Sequence, residues 1–72
     1  MSVLSDRLKE LRLKHKYTQK QIGDVLGCAY RYYQKIEYGE IKPNYEVLSK
    51  LADHFDVSLD YLVGRSDNPK RH

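Results

Sequence analysis

Residues 18–39 read TQKQIGDVLGCAYRYYQKIEYG, and their punctuation predicts two short helices joined by a tight turn. Thr18 opens the first. Its hydroxyl and the Gln21 side chain have capping-box spacing, each satisfying an amide that the first turn leaves unpaired. Tyr17 and Ile22 flank that cap at the positions of a hydrophobic staple. Ile22, Val25 and Leu26 give the helix its apolar side, and Gly27 supplies the left-handed residue that ends it. Gly23 sits mid-helix, where glycine costs roughly 1 kcal/mol relative to alanine. That cost predicts a second backbone passing too close for a side chain.

The second helix of the stretch runs from about Tyr30 to Tyr38 and is closed by Gly39. Only Tyr33 and Ile36 are inward positions, while Tyr30, Arg31, Gln34, Lys35 and Tyr38 face outward. Ala29 stands at its N-cap without a side-chain acceptor, which costs about 1 kcal/mol, so packing or a bound phosphate must hold that end. The turn at residues 27–29 is short enough to fix the angle between the helices, as a helix-turn-helix requires. A short helix that shows basic, amide and phenol groups to water is poor core material. It suits the groove of a nucleic acid.

Working outward, residues 3–15 predict a helix with Leu4, Leu8 and Leu11 on one stripe, capped by Ser2 or Ser5. Beyond Gly39, Pro43 biases Lys42 away from helix. Asn44 then caps a fourth helix with Val47, Leu48, Leu51, Ala52 and Phe55 on its apolar side. Ser58 caps a short fifth helix over residues 59–63, with Val57 and Leu62 at staple spacing, and Gly64 ends it. No strand pattern appears. The expected fold is all-α, a compact five-helix domain over residues 1–64 followed by a frayed polar tail at 65–72.

Seventy-two residues with 40% hydrophobic and 32% charged content fit one soluble globular domain. The single cysteine, Cys28, excludes an internal disulfide, and the three histidines have no metal-ligand spacing. With no signal-like or long apolar run, a cytoplasmic location is expected. Charge is segregated: residues 7–42 hold nine Lys/Arg against four Asp/Glu, whereas residues 43–64 hold one against four. Such asymmetry fits one face meeting a polyanion, or merely a solvated surface.

The chain closely resembles the Cro and phage-repressor-like, or XRE-type, helix-turn-helix family. The resemblance covers about residues 8–64. It rests on RLKELR (7–12), TQKQIGDVLG (18–27), KIEYG (35–39), KP (42–43) and VSLDYLVG (57–64). It implies a lambda-repressor-like five-helix domain that binds duplex DNA, usually as a homodimer on a palindromic operator, with repression as the expected role. Carried over by position, Gln19 meets the DNA backbone or a base, and Tyr30, Arg31 and Lys35 read base edges. Tyr32, Gln34, Tyr38 and Lys42 touch phosphates or flanking bases, and Arg12 pairs with Glu37 in a structural salt bridge. Arg31 suits guanine O6 and N7, and Lys35 suits guanine or phosphate. Leu59, Tyr61, Leu62 and Val63 are the expected dimer surface. Two departures stand out: Ala29 replaces the usual Ser or Thr, and Tyr38 stands where Asn is common.

Other functions have less support. There is no nucleophile beside a base, no Gly-rich phosphate loop and no paired carboxylates, so no catalytic residue, cofactor or small-molecule ligand is expected. Cys28 at the mouth of the third helix could be a redox sensor. The plainer reading is a small apolar turn residue packed beside Tyr33. The stronger rival is a protein-binding adaptor, such as an antitoxin-like module, built on the same fold.

Overall fold

The computed structural model describes residues 3–71. Five helices follow in order: α1 (Val3–Lys14), α2 (Gln19–Leu26), α3 (Tyr30–Glu37), α4 (Tyr45–Phe55) and α5 (Leu59–Val63). Among the described residues there is no strand. None of these helices is long and apolar enough to cross a membrane.

The predicted caps are in place. The Gln21 N–H donates to Thr18 Oγ1 at 3.1 Å and the Thr18 N–H to Gln21 Oε1 at 2.8 Å. Asn44 accepts from the Val47 N–H at 2.9 Å and Ser58 from the Tyr61 N–H at 3.0 Å. Ala29 makes no side-chain cap. At the other end of α1, Ser5 lies inside the helix and is buried, so it is not the cap; Ser2 lies outside the described residues.

The core gathers one stripe from each helix: Leu8 and Leu11, Ile22 and Leu26, Tyr33 and Ile36, Leu51, Ala52 and Phe55, and finally Val57 and Leu62. Tyr33 is fully buried despite its hydroxyl. Two expectations fail here. Val25, assigned to the apolar side of α2, is 43% exposed, because Ile22, Gly23 and Leu26 take the inward side of so short a helix. Leu62, assigned to a dimer surface, is wholly buried in its own domain, so it cannot meet a partner. The staple spacing with buried Val57 is the correct reading of that leucine.

Residues 65–71 also differ from the expected frayed tail. The Ser58 N–H donates to Pro69 O at 3.0 Å, and the Arg65 and Ser66 N–H groups donate to Asp60 O. Arg7 holds the segment from the other side. It donates to Tyr61 O and Ser66 O, reaches Asp67 Oδ1 at 2.7 Å, and lies 4.1 Å from the centroid of the Tyr61 ring. Arg71 pairs with Asp53 at 2.6 Å. A polar composition suggested a loose end; it is the partners on α1, α4 and α5 that tie it down.

Candidate nucleic-acid interface

Gly23 and Gly27 set the geometry of the site. A Cβ on Gly23 would stand 2.9 Å from Tyr30 Cα and 3.2 Å from its nitrogen, so the absence of a side chain lets the start of α3 rest directly on α2. Gly27 takes φ 71, the left-handed conformation, and its N–H donates to Asp24 O at 3.1 Å. Close approach at one point and a sharp reversal at the other leave α3 one orientation against α2.

A buried ion pair fastens the far end of α3. Arg12 Nε and Nη2 donate to Glu37 Oε2 and Oε1, each at 2.8 Å, and Arg12 Nη1 donates to Tyr17 O at 3.0 Å. Only 1% of the Glu37 side chain and 13% of the Arg12 side chain remain exposed. Burial alone pushes the Glu37 carboxyl up, but the hydrogen bonds from Arg12 and its positive charge outweigh it and hold the group below the usual carboxylate range. The same contact raises Arg12. Burial, followed by the nearby Glu37 carboxylate, pushes the Tyr33 phenol far up. Its hydroxyl lies close to that carboxylate without a hydrogen bond of good geometry.

From Glu37 a chain of amides leads outward. Gln19 Nε2 donates to Glu37 Oε1 at 3.5 Å, Gln34 Nε2 donates to Gln19 Oε1 at 3.1 Å, and the same nitrogen reaches the Tyr38 oxygen at 3.4 Å. The family resemblance implied the Arg12–Glu37 pair, and the structure has it. Sequence reasoning missed this chain, because nothing in the spacing of residues 19 and 34 says that their side chains meet.

Outside that frame lie the residues expected to touch DNA. Tyr30 is 43% exposed, and Arg31 and Lys35 are exposed beside it on α3. Lys42 is exposed on the loop that follows, and Tyr38, at the C-cap, is 54% exposed. Among the described residues, Arg31, Lys35 and Lys42 have no ion pair. Gln19 and Gln34 are half-buried through the amide chain. Tyr32 is half-buried and packs against the core, so its ring is largely spent on packing. Cys28 is half-buried, and burial pushes its thiol up, the reverse of what a redox sensor needs.

Residues 8–62 match the helix-turn-helix family profile. The chain belongs to the XRE-type helix-turn-helix family. It is 43% identical over 60 residues to the HTH-type transcriptional regulator AnsR of Bacillus subtilis, covering 83% of this chain and 52% of that protein. With the cryptic phage CTXphi transcriptional repressor RstR of Vibrio cholerae it shares 39% identity over 62 residues, 86% of this chain and 55% of RstR. With the uncharacterized HTH-type transcriptional regulator YqaE of Bacillus subtilis it shares 37% over 68 residues, 94% of this chain and 59% of YqaE. These XRE-type relatives are named as regulators rather than enzymes. The chain spans little more than half their length.

Proposed function

We propose that this XRE-type chain binds duplex DNA sequence-specifically and acts as a transcriptional repressor, laying α3 in the major groove of a palindromic operator. The observation that carries the reading is the division of α3. Tyr33, Ile36 and Glu37 are buried and fixed, while Arg31 and Lys35 are exposed on the opposite side and Tyr30 is exposed at the helix start. A rigid element with free donors satisfies the two demands of groove reading, orientation and base-edge contact. Arg31 serves guanine O6 and N7, Lys35 serves guanine or phosphate, and Tyr30 meets a thymine methyl or a phosphate. Lys42 and the second Gln19 amide hydrogen grip backbone, and so does the Tyr38 hydroxyl. The repressor role draws support from RstR, which is named a repressor.

Dimerisation is part of this proposal, and the size of the domain supports it. The longest extent of the domain is 30 Å, shorter than the roughly 34 Å between successive major-groove faces. One copy therefore fills one half-site. With Leu62 buried, Val63 at 39% exposure and the half-buried Leu59 and Tyr61 remain for the interface. Val63 borders a largely apolar groove of about 370 Å³ shared with Val3, Leu4, Pro43 and Leu48, with Lys42 at its edge.

Selection from a random duplex library tests the reading. It predicts an enriched inverted repeat, and an affinity that falls steeply with salt. Binding that is weak, equal for all sequences and insensitive to salt would favour the protein-adaptor reading instead.

A further inference from the structure

The amide chain beside α3 has a direction that chemistry imposes. The Glu37 carboxylate can only accept. It already takes two donors from Arg12, and its Oε1 also takes Gln19 Nε2 at 3.5 Å. Turned over, the Gln19 amide would press its own oxygen against that carboxylate. With Nε2 committed inward, Gln19 Oε1 faces Gln34 and accepts from Gln34 Nε2 at 3.1 Å. The second hydrogen on Gln34 Nε2 has the Tyr38 oxygen at 3.4 Å. One Gln34 hydrogen is thus held by Gln19 at 3.1 Å, and the other is directed at the exposed Tyr38 hydroxyl across a long 3.4 Å contact. Gln34 Oε1 accepts no hydrogen bond among the described residues, and it is not among their buried unpaired atoms, so it stands open to solvent.

We propose that this relay makes Gln34 a one-way reader. It presents only an acceptor to the major groove and selects a base with an exocyclic amino group, adenine N6 or cytosine N4. Gln19 is the positioning residue that holds Gln34 in this sense. The inference rests on the DNA-binding reading above and deepens it. A free glutamine pairs bidentately with adenine through one donor and one acceptor. With one Gln34 hydrogen held by Gln19 and the other directed at Tyr38, that pairing is disfavoured. One carbonyl oxygen serves adenine and cytosine alike, and it repels guanine O6 and thymine O4. The buried acid thereby sets, through two amides, the sign of the hydrogen bond shown to DNA. The exposed Arg31 and Lys35, both pure donors, set the opposite sign on the adjoining part of the helix.

Library selection with the full chain and its variants tests the relay, with circular dichroism to verify folding. The wild type should contain one half-site position where adenine and cytosine are enriched about equally over guanine and thymine, on the order of tenfold. In Gln34→Ala that position should lose its preference while the others keep theirs. In Gln19→Lys the ammonium donates to Glu37 and offers Gln34 no acceptor. Gln34 should then turn its oxygen inward, and the same position should switch to guanine and thymine. Gln19→Leu, which imposes neither sense, should erase the discrimination without inverting it, and it carries the test if Gln19→Lys fails to fold.

The proposal is overturned if Gln34→Ala changes no position, or if the wild type takes adenine alone, guanine or thymine there. An unchanged preference in the Gln19 variants overturns it too. Each of those results leaves sequence-specific binding standing. Failure of the wild type to enrich any sequence would instead overturn the DNA-binding reading itself.

Discussion

Arg12→Met keeps most of the apolar stem of the side chain and removes the guanidinium, leaving the Glu37 carboxylate buried without its counter-ion. The two side chains are 13% and 1% exposed, so this pair lies in the regime where breaking one partner costs roughly 3–5 kcal/mol. For a chain of 72 residues, a stability of about 0.05–0.15 kcal/mol per residue gives only about 4–11 kcal/mol in total. The variant should therefore lose on the order of half its stability at neutral pH. The loss should shrink in acid, because an unpaired buried carboxyl escapes its penalty by taking a proton. The wild type should behave in the opposite sense. Its Glu37 is held below the ordinary carboxylate range by Arg12. That contribution is fully present above the unfolded value of about 4.3 and drains away as pH falls through the lower folded value. Urea unfolding followed by circular dichroism at neutral pH and near pH 4.5 measures the variant's recovery, and a further series near pH 3 measures the decline of the wild type. Arg12→Met/Glu37→Leu, which removes both charges, should recover much of the loss. A single variant that loses less than about 1 kcal/mol, or loses the same amount at both pH values, would refute the reasoning.

Three further outcomes follow from individual contacts. Tyr33→Phe should leave stability unchanged or raise it by up to about 1 kcal/mol in urea unfolding, since it removes a buried hydroxyl with no good partner. Gly23→Val should cost about 1–3 kcal/mol, because its Cβ alone would meet the Tyr30 backbone at 2.9 Å. Its loss of DNA affinity should exceed that of an equally destabilising change in α5, a comparison that titration of both variants provides. Arg7→Ala should cost about 1–3 kcal/mol and increase proteolysis after Gly64, since Arg7 alone bridges Tyr61 O, Ser66 O and Asp67.

Much of this fold was legible because local chemistry decides it. The Thr18–Gln21 box, the Asn44 and Ser58 caps and the Gly27 reversal each satisfy backbone groups within a few residues, so the sequence alone carries the signal. Gly23 was legible for a different reason: a residue that weakens its own helix needs a compensating contact, and Tyr30 provides it. The end of α4 shows the limit. Asp56 takes φ 55 there without a glycine to announce it.

What stayed hidden depends on which distant residue lies alongside. Val25 and Leu26 are both apolar and adjacent, and only packing decides that Leu26 goes in. Leu62 satisfied both a staple and an interface until its burial separated them. The fixing of residues 65–71 needs Arg7, some sixty positions earlier, and composition does not encode that meeting. In the candidate site the exposed cations of α3 could be named from its pattern, and the Arg12–Glu37 pair came from the family resemblance. The Gln19–Gln34 contact joins two helices across the turn, and it emerged only with their angle.

The central claim is that α3 reads bases while the rest of the domain holds it still. Competition titration of a selected duplex against a scrambled one of equal length, with the wild type and Arg31→Ala, tests it most directly. The account predicts a marked preference of the wild type for the selected duplex. Arg31→Ala should lose about 1–3 kcal/mol on that duplex, with its discrimination at one base position relaxed. Affinity for the scrambled duplex should change far less. Equal affinity of the wild type for both duplexes, or an Arg31→Ala variant that binds and discriminates as the wild type does, would contradict the account.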